Sequence, residues 1–281
     1  MKIVTDPRQF QDLCWSWRCQ GLETALVPTM GYLHQGHLSL MTWAKTKAQK
    51  VMVSVFVNPT QFGPSEDLDR YPRDPENDAA KAESAGVDVL YLPEAKNMYP
   101  AGFATSLKVS GLTAGLCGRS RPGHFEGVAL VVTKLLMLAQ PTMAVFGEKD
   151  WQQLAVIRRL VADLDFPVRV MGRPIFREPD GLAMSSRNVN LTAKERTQAP
   201  AIQAGLAQAK TMAASQTRAE VIINWLREFY SQNLPAGKID YIECVHPETI
   251  EPVSEITGST LLAVAVQFGR ARLIDNVLLE I

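Results

Sequence analysis

Apolar positions in the first two thirds of the chain come in unbroken runs rather than singly. Continuous β-prone runs at Ala25 to Pro28, Val51 to Val57, Val87 to Leu92, Met143 to Phe146 and Val168 to Met171 alternate with helically spaced stretches, among them Leu38 to Ala48, Asn77 to Ala85 and Asp150 to Asp163. A strand that is apolar at every position is covered on both faces, and intervening helices supply the crossovers of a parallel sheet. The pattern therefore predicts an α/β fold, a Rossmann-like doubly wound parallel sheet whose ligands gather outside the carboxyl ends of the strands.

The pattern breaks in the polar, Pro- and Gly-bearing stretch Arg173 to Asn190. A domain junction is predicted there, with residues 1–175 as the Rossmann-like domain and 176–281 as a smaller C-terminal α+β domain. In the latter, Thr192 and Glu195 stand at capping-box spacing, a second helix spans about Thr217 to Gln232, and strands follow at Ile239 to Val245, Leu261 to Phe268 and Ala271 to Leu279. A tight Gly269-Arg270 turn joins the last two.

Length and composition narrow the function classes. With 281 residues and 46% hydrophobic content the chain can build real cores, and 29 basic against 29 acidic residues give no bulk charge pointing to nucleic acid or an anionic membrane. No run of about 18 apolar residues occurs, and the opening Met-Lys-Ile-Val-Thr-Asp-Pro lacks an apolar signal core. Cys14, Cys19, Cys117 and Cys244 form no C-x-x-C and are far too sparse for a secreted disulfide framework. The expectation is a cytoplasmic protein with reduced thiols that acts on small molecules.

Chemistry concentrates at strand ends. Met30-Gly31-Tyr32-Leu33-His34-Gln35-Gly36-His37 spans a strand-to-helix junction, where backbone N–H groups and the positive end of a helix attract phosphate. Two histidines three apart also fit a metal site or plain structural hydrogen bonding. Asn58 and Gln61, after the next strand, offer neutral amides to a small polar substrate or simply complete an Asn-Pro turn. Gly147-Glu148-Lys149-Asp150 supplies a phosphate-binding cation and a ribose acceptor, although Asp150 would equally cap the helix that carries Gln153. Met184-Ser185-Ser186-Arg187-Asn188 has the hydroxyls and guanidinium of a phosphate clamp on a mobile loop. Arg119 to Gly127, glycine-rich and basic, is either a lid or a structural turn.

Taken in order, H-x-G-H, N-P-T-Q-F, R-P-G-H-F, F-G-E-K-D-x-Q-Q and M-S-S-R-N resemble the pantothenate synthetase (pantoate-β-alanine ligase) family of the H-x-G-H nucleotidylyl-transferase superfamily. The resemblance implies ATP-dependent condensation of pantoate with β-alanine through a pantoyl adenylate. It implies ATP contacts from Met30 through His37, from Gly147 through Asp150, and from Phe176, Met184, Ser185, Ser186 and Arg187. It implies catalytic roles for His34, Lys149, Arg187 and, as proton donor, His37. Gln61 and Gln153, with Asn58 beside them, would hold substrate; Mg2+ would sit mainly on the phosphate oxygens of ATP, with few protein ligands; and the working form would be a cytoplasmic homodimer. Trp151 stands where tyrosine is expected, and Phe176 where a smaller aliphatic residue is common. Competing readings are a transferase that leaves its nucleotide on a phosphorylated acceptor and a nucleotide-sensing module.

Overall fold

Alternate residues of a strand point to opposite faces of its sheet, so a run with no polar interruption needs cover on both. The computed structural model describes residues 1–64, 66 and 68–280, and its central strands are buried in this way: Ala25, Leu26, Val27, Val51, Met52 and Val53 are all inaccessible to solvent. In chain order the elements begin β1 (Lys2–Val4), α1 (Pro7–Cys19), β2 (Thr24–Thr29), α2 (Gln35–Lys45), β3 (Lys50–Val55), α3 (Pro75–Ser84), β4 (Val89–Tyr91), α4 (Ala95–Met98), α5 (Leu116–Ser120) and α6 (His124–Ala139). They continue with β5 (Met143–Gly147), α7 (Trp151–Asp163), β6 (Arg169–Arg173), α8 (Ala193–Gln198), α9 (Ala201–Ala213), α10 (Ala219–Asn233), β7 (Gly237–Val245), β8 (Ser259–Phe268) and β9 (Ala271–Glu280).

Two compact units emerge. The first comprises Met1–Val109, Arg121–Glu148 and Val156–Arg173; the second comprises Ser110–Ser120, Lys149–Ala155 and Pro174–Ile281. The first contains a six-stranded sheet in the order β1-β4-β3-β2-β5-β6, with every neighbouring pair parallel. The predicted doubly wound sheet is thus present. Strand β1 is an addition: three residues are too few to announce a strand by pattern.

The winding reverses between β2 and β5, and the backbone there dictates an opening. β2 pairs with β3 over six residues, from Thr24 to Thr29, but with β5 only at Ala25 and Leu26. The Thr24 carbonyl accepts from Thr142 N, just ahead of β5, while the Thr29 carbonyl accepts from Phe56 N on the β3 side. Since successive residues of a strand bond to opposite sides, Pro28 faces β5, and it has no N–H to give. The ladder between the two strands ends before their carboxyl ends, at the topological switch point where sheets of this kind take their ligands.

The second unit carries the antiparallel sheet β7-β8-β9. Ile202, Leu206, Ile222, Leu226 and Tyr230 of α9 and α10 pack with Leu262, Val264, Val266 and Phe268 of β8. The predicted capping box is formed, with Thr192 N donating to Glu195 Oε2 at 2.8 Å and Glu195 N to Thr192 Oγ1 at 3.3 Å. The fully buried Tyr230 donates its hydroxyl to the Ile202 carbonyl at 2.7 Å, tying α10 to α9. Tyr230→Phe should cost about 1 kcal/mol, the net worth of one neutral hydrogen bond. Chemical denaturation checks this, and an unchanged midpoint would remove the hydrogen bond from the stability of this unit.

Candidate active site

In the first unit, the segment leaving β2 is set by a carboxylate that sequence reading did not single out. Gly31 and Tyr32 both take left-handed backbone angles, φ 85° and 50°. A Cβ on Gly31 would lie 2.8 Å from Val55 Cγ1 and 2.9 Å from Asp78 Oδ2, so only glycine fits. This turn aims the N–H groups of Tyr32 and Leu33 at Asp78, whose Oδ2 and Oδ1 accept them at 2.9 and 2.6 Å. Lys81, one turn further along α3, donates to the Leu33 carbonyl at 2.7 Å. The N–H groups of Tyr32 and Leu33 are therefore committed to Asp78 rather than left open to a ligand. In sequence, Asp78 looks like an ordinary acidic residue of a first helical turn.

The loop delivers His34 as the N-cap of α2, in extended conformation. Its carbonyl accepts from the N–H groups of His37 and Leu38, and its own N–H donates to His37 Nδ1 at 3.3 Å. The two rings lie with centroids 4.0 Å apart. With Nδ1 as an acceptor, neutral His37 carries its proton on Nε2, which makes that nitrogen a hydrogen-bond donor.

Beyond β3, Asn58 caps a single 3-10 turn, Pro59–Gln61, and Gln61 is its last residue. Asn58 is 1% exposed and its amide is spent on the protein: Nδ2 donates to Gln61 Oε1 at 3.0 Å and to the Gly127 carbonyl at 3.1 Å, while Oδ1 accepts from the Tyr99 hydroxyl at 2.8 Å. Gln61 Nε2 lies 3.2 Å from Met30 Sδ. The stretch read as lid or turn holds this segment in place. His124 opens α6, its Nε2 faces Arg121 at 3.0 Å, and its Nδ1 lies 2.9 Å from the Gln61 carbonyl. Arg121 in turn forms a two-pronged pair with Glu66. A Cβ on Gly127 would fall 2.3 Å from the Thr60 carbonyl oxygen and 2.5 Å from Gln61 N, so α6 meets this segment backbone to backbone. Sequence reading missed Tyr99, Arg121, His124 and Gly127 as supports of Gln61; the repeated Gly and His around Arg121 were the available signal. Gly147 ends β5 and Glu148 begins the 3-10 turn that follows; among the described residues a Cβ on Gly147 would meet nothing within 4 Å.

The second unit holds the remaining predicted residues. Lys149 pairs with Asp150 at 3.1 Å, and Asn276 of β9 holds the Lys149 carbonyl at 3.0 Å. The adjacent glutamines divide their work. Gln152 is buried and binds Cys117 N and the carbonyls of Leu112 and Gly115, whereas the half-buried Gln153 amide makes no hydrogen bond among the described residues. Trp151 uses its indole N–H on the Pro247 carbonyl at 2.8 Å.

Phe176 is 41% exposed, beside Arg177, which grips the buried Asp275 through two bonds of 2.7 and 2.9 Å. Met184 N returns to the Phe176 carbonyl at 3.0 Å, which closes a hairpin. Ser185 caps the 3-10 turn Ser186–Asn190 by accepting from Arg187 N, Ser186 is buried, and Asn188 is tied to Glu178 at 2.7 Å. Among the described residues no group of three or more His, Cys, Asp or Glu side chains is placed to hold a metal ion.

Comparison with known proteins decides the family. The model of the pantoate-β-alanine ligase family matches residues 2–278. The chain belongs to the pantoate-β-alanine ligase family. It is 56% identical over 280 residues to the pantothenate synthetase of Nitratidesulfovibrio vulgaris strain Hildenborough, covering 99% of both chains, and 49% identical over 284 residues to that of Geobacter sulfurreducens, again covering 99% of both. Among solved structures, pantothenate synthetase from Thermus thermophilus superposes with TM-score 0.92 at 46% identity, covering 99% of each chain. Pantoate-β-alanine ligase from Francisella tularensis, complexed with β-γ ATP and β-alanine, superposes with TM-score 0.82 at 36% identity, covering 99% of this chain and 97% of that one. In family terms, the H-x-G-H segment of this ligase lies at the β2 end of its switch-point crevice.

Burial pushes the Asp78 carboxyl above the ordinary aspartate value, outweighing the two N–H bonds and Lys81, which favour its ionised form. The folded protein thus holds this proton more tightly than the unfolded chain. Asp78 favours folding most at pH below its ordinary value, and that contribution is lost as pH rises through the raised folded value. The stability of wild type relative to Asp78→Asn should accordingly fall as pH is raised through that window. Denaturant melts across pH read the difference, and a flat or rising one would contradict the assignment.

Proposed function

We propose that the protein condenses pantoate with β-alanine at the expense of ATP. The observation that carries this reading is the pairing, at strand ends of the first unit, of a histidine whose Nε2 is a donor with a glutamine amide. One suits phosphate, the other a small polar acid. A pantoate carboxylate oxygen attacks the α-phosphorus of ATP, the bond to the β-phosphate oxygen breaks, and pyrophosphate leaves. The β-alanine amine then attacks the acyl carbon of pantoyl adenylate, loses a proton, and expels AMP.

No covalent nucleophile is required, because the substrate carboxylate is the nucleophile. The chain's work is placement and charge stabilisation. His37 donates from Nε2 to a phosphate oxygen and His34 holds it in that orientation. Lys149, Ser185, Ser186 and Arg187 hold the β- and γ-phosphates, Asp150 and Gly147 take the ribose, and Phe176 borders the nucleotide. Gln61 and Gln153 hold pantoate. Neutral amides suit that task, since a strong cation on the carboxylate would stabilise the ground state and blunt the nucleophile. Mg2+ bound to the phosphate oxygens of ATP would offset their charge, since this ion keeps close to phosphate and water oxygens.

We further propose a cytoplasmic homodimer as the working form. The four cysteines are free thiols, which suits a reducing compartment, and no described helix is long and apolar enough to cross a membrane.

His37→Ala and Lys149→Ala should each lower pantoate-dependent pyrophosphate release by about 100-fold or more, as expected on losing a donor used at the transition state, with the circular dichroism spectrum unchanged. Near-wild-type release in either variant would withdraw its assigned role. Nucleotide found covalently attached to a stable acceptor, with no AMP released on adding β-alanine, would replace the ligase reading.

A further inference from the structure

The amides following β3 carry a polarity that starts in the backbone. The Gly127 carbonyl can only accept, so the Asn58 atom 3.1 Å from it is the nitrogen; the Thr60 N–H can only donate, so the atom 3.4 Å from it is Oδ1. The hydroxyls of Thr60 and Tyr99 donate to that same oxygen at 3.0 and 2.8 Å. Both amide hydrogens and the oxygen of Asn58 are thereby assigned. Its second hydrogen faces Gln61 at 3.0 Å, so the Gln61 atom there is Oε1, and Nε2 is turned to the opposite side, beside Met30 Sδ. A thioether is a weak acceptor that a ligand oxygen readily replaces.

We infer that Asn58 is a positioning residue that touches no substrate, and that with Tyr99 it sets Gln61 to present N–H, so that the site recognises its acid by an oxygen acceptor. This rests on the proposed assignment of Gln61 to pantoate. An amide can turn by 180° at no cost in shape, so a lone glutamine would offer donor and acceptor alike. The backbone groups of Thr60 and Gly127 remove that ambiguity through Asn58. Tyr99, on the far side, adds a donor to Oδ1 and none to the substrate.

Asn58→Asp keeps the shape but removes the donor, so Gln61 must turn its own nitrogen inward and show an oxygen to the acid. The KM for pantoate, read from pyrophosphate release, should rise about tenfold or more in Asn58→Asp and about threefold to fivefold in Tyr99→Phe, in keeping with the loss of one or two hydrogen bonds, while the KM for ATP stays put. An unchanged pantoate KM in Asn58→Asp overturns the inference, and so does a parallel rise in the ATP KM, which would mark general local damage. Neutron diffraction on the ligand-free wild type gives a second, substrate-independent reading: deuterons of the Gln61 amide on the Met30 side support the inference, and deuterons facing Asn58 overturn it. Wild type that releases no pyrophosphate with pantoate and ATP would withdraw the proposed function, and the deuteron positions would still decide this inference.

Discussion

The early end of the β2–β5 ladder is the constraint around which the first unit's candidate site is arranged. A fully laddered β2 would run its hydrogen bonds to the strand end on both sides and leave no crevice at the switch point. Pro28 faces β5 without an N–H, and the ladder on that side covers only Ala25 and Leu26 while the ladder to β3 continues to Thr29. One missing donor thus ends the ladder between the two strands whose ends carry the H-x-G-H turn and the Gly147-Glu148 step.

The opening alone would leave a loop with left-handed residues and unsatisfied peptide groups. Asp78 and Lys81, on one face of α3, take up the N–H and C=O groups that this turn directs away from the crevice. The histidines are then held from both directions, by the helix that starts at His34 and by the carboxylate behind Leu33. On the neighbouring strand end the support comes from α6, through the Gly127 carbonyl and His124. In both places the groups proposed to meet ligand are few and the groups holding them are many. Most of the supports are main-chain atoms or side chains two elements away.

That division also explains what was legible in the sequence. Buried runs such as Val51 to Val55 announce themselves because both faces of a parallel sheet are covered, and Thr192 with Glu195 announces a helix start because a capping box is local. Short β1 and the supports of the site were not legible. Asp78 and Leu33 are 45 positions apart, and nothing local distinguishes an aspartate that caps its own helix from one that reaches across to a loop. Gln152 and Gln153 are chemically identical neighbours, and only the helix phase sends one to the 112–117 segment. The motif residues were recognisable as an ordered set; their division of labour, with Asn58 spent inside the protein, needed the fold.

Gly127 has a bearing on mutational tolerance. Its helix belongs to the hydrophobic core, with Val128, Ala129, Leu130, Val131 and Val132 all buried just after it, yet its backbone touches the backbone of residues 60 and 61. Core packing and the segment that carries Gln61 therefore share one rigid contact with no side chain between to absorb error. A substitution deep in the core that tilts α6 is transmitted directly to the backbone of Thr60 and Gln61. Sequence drift in the apolar face of α6 is then limited by the position the helix must keep against that segment as well as by the burial of its side chains.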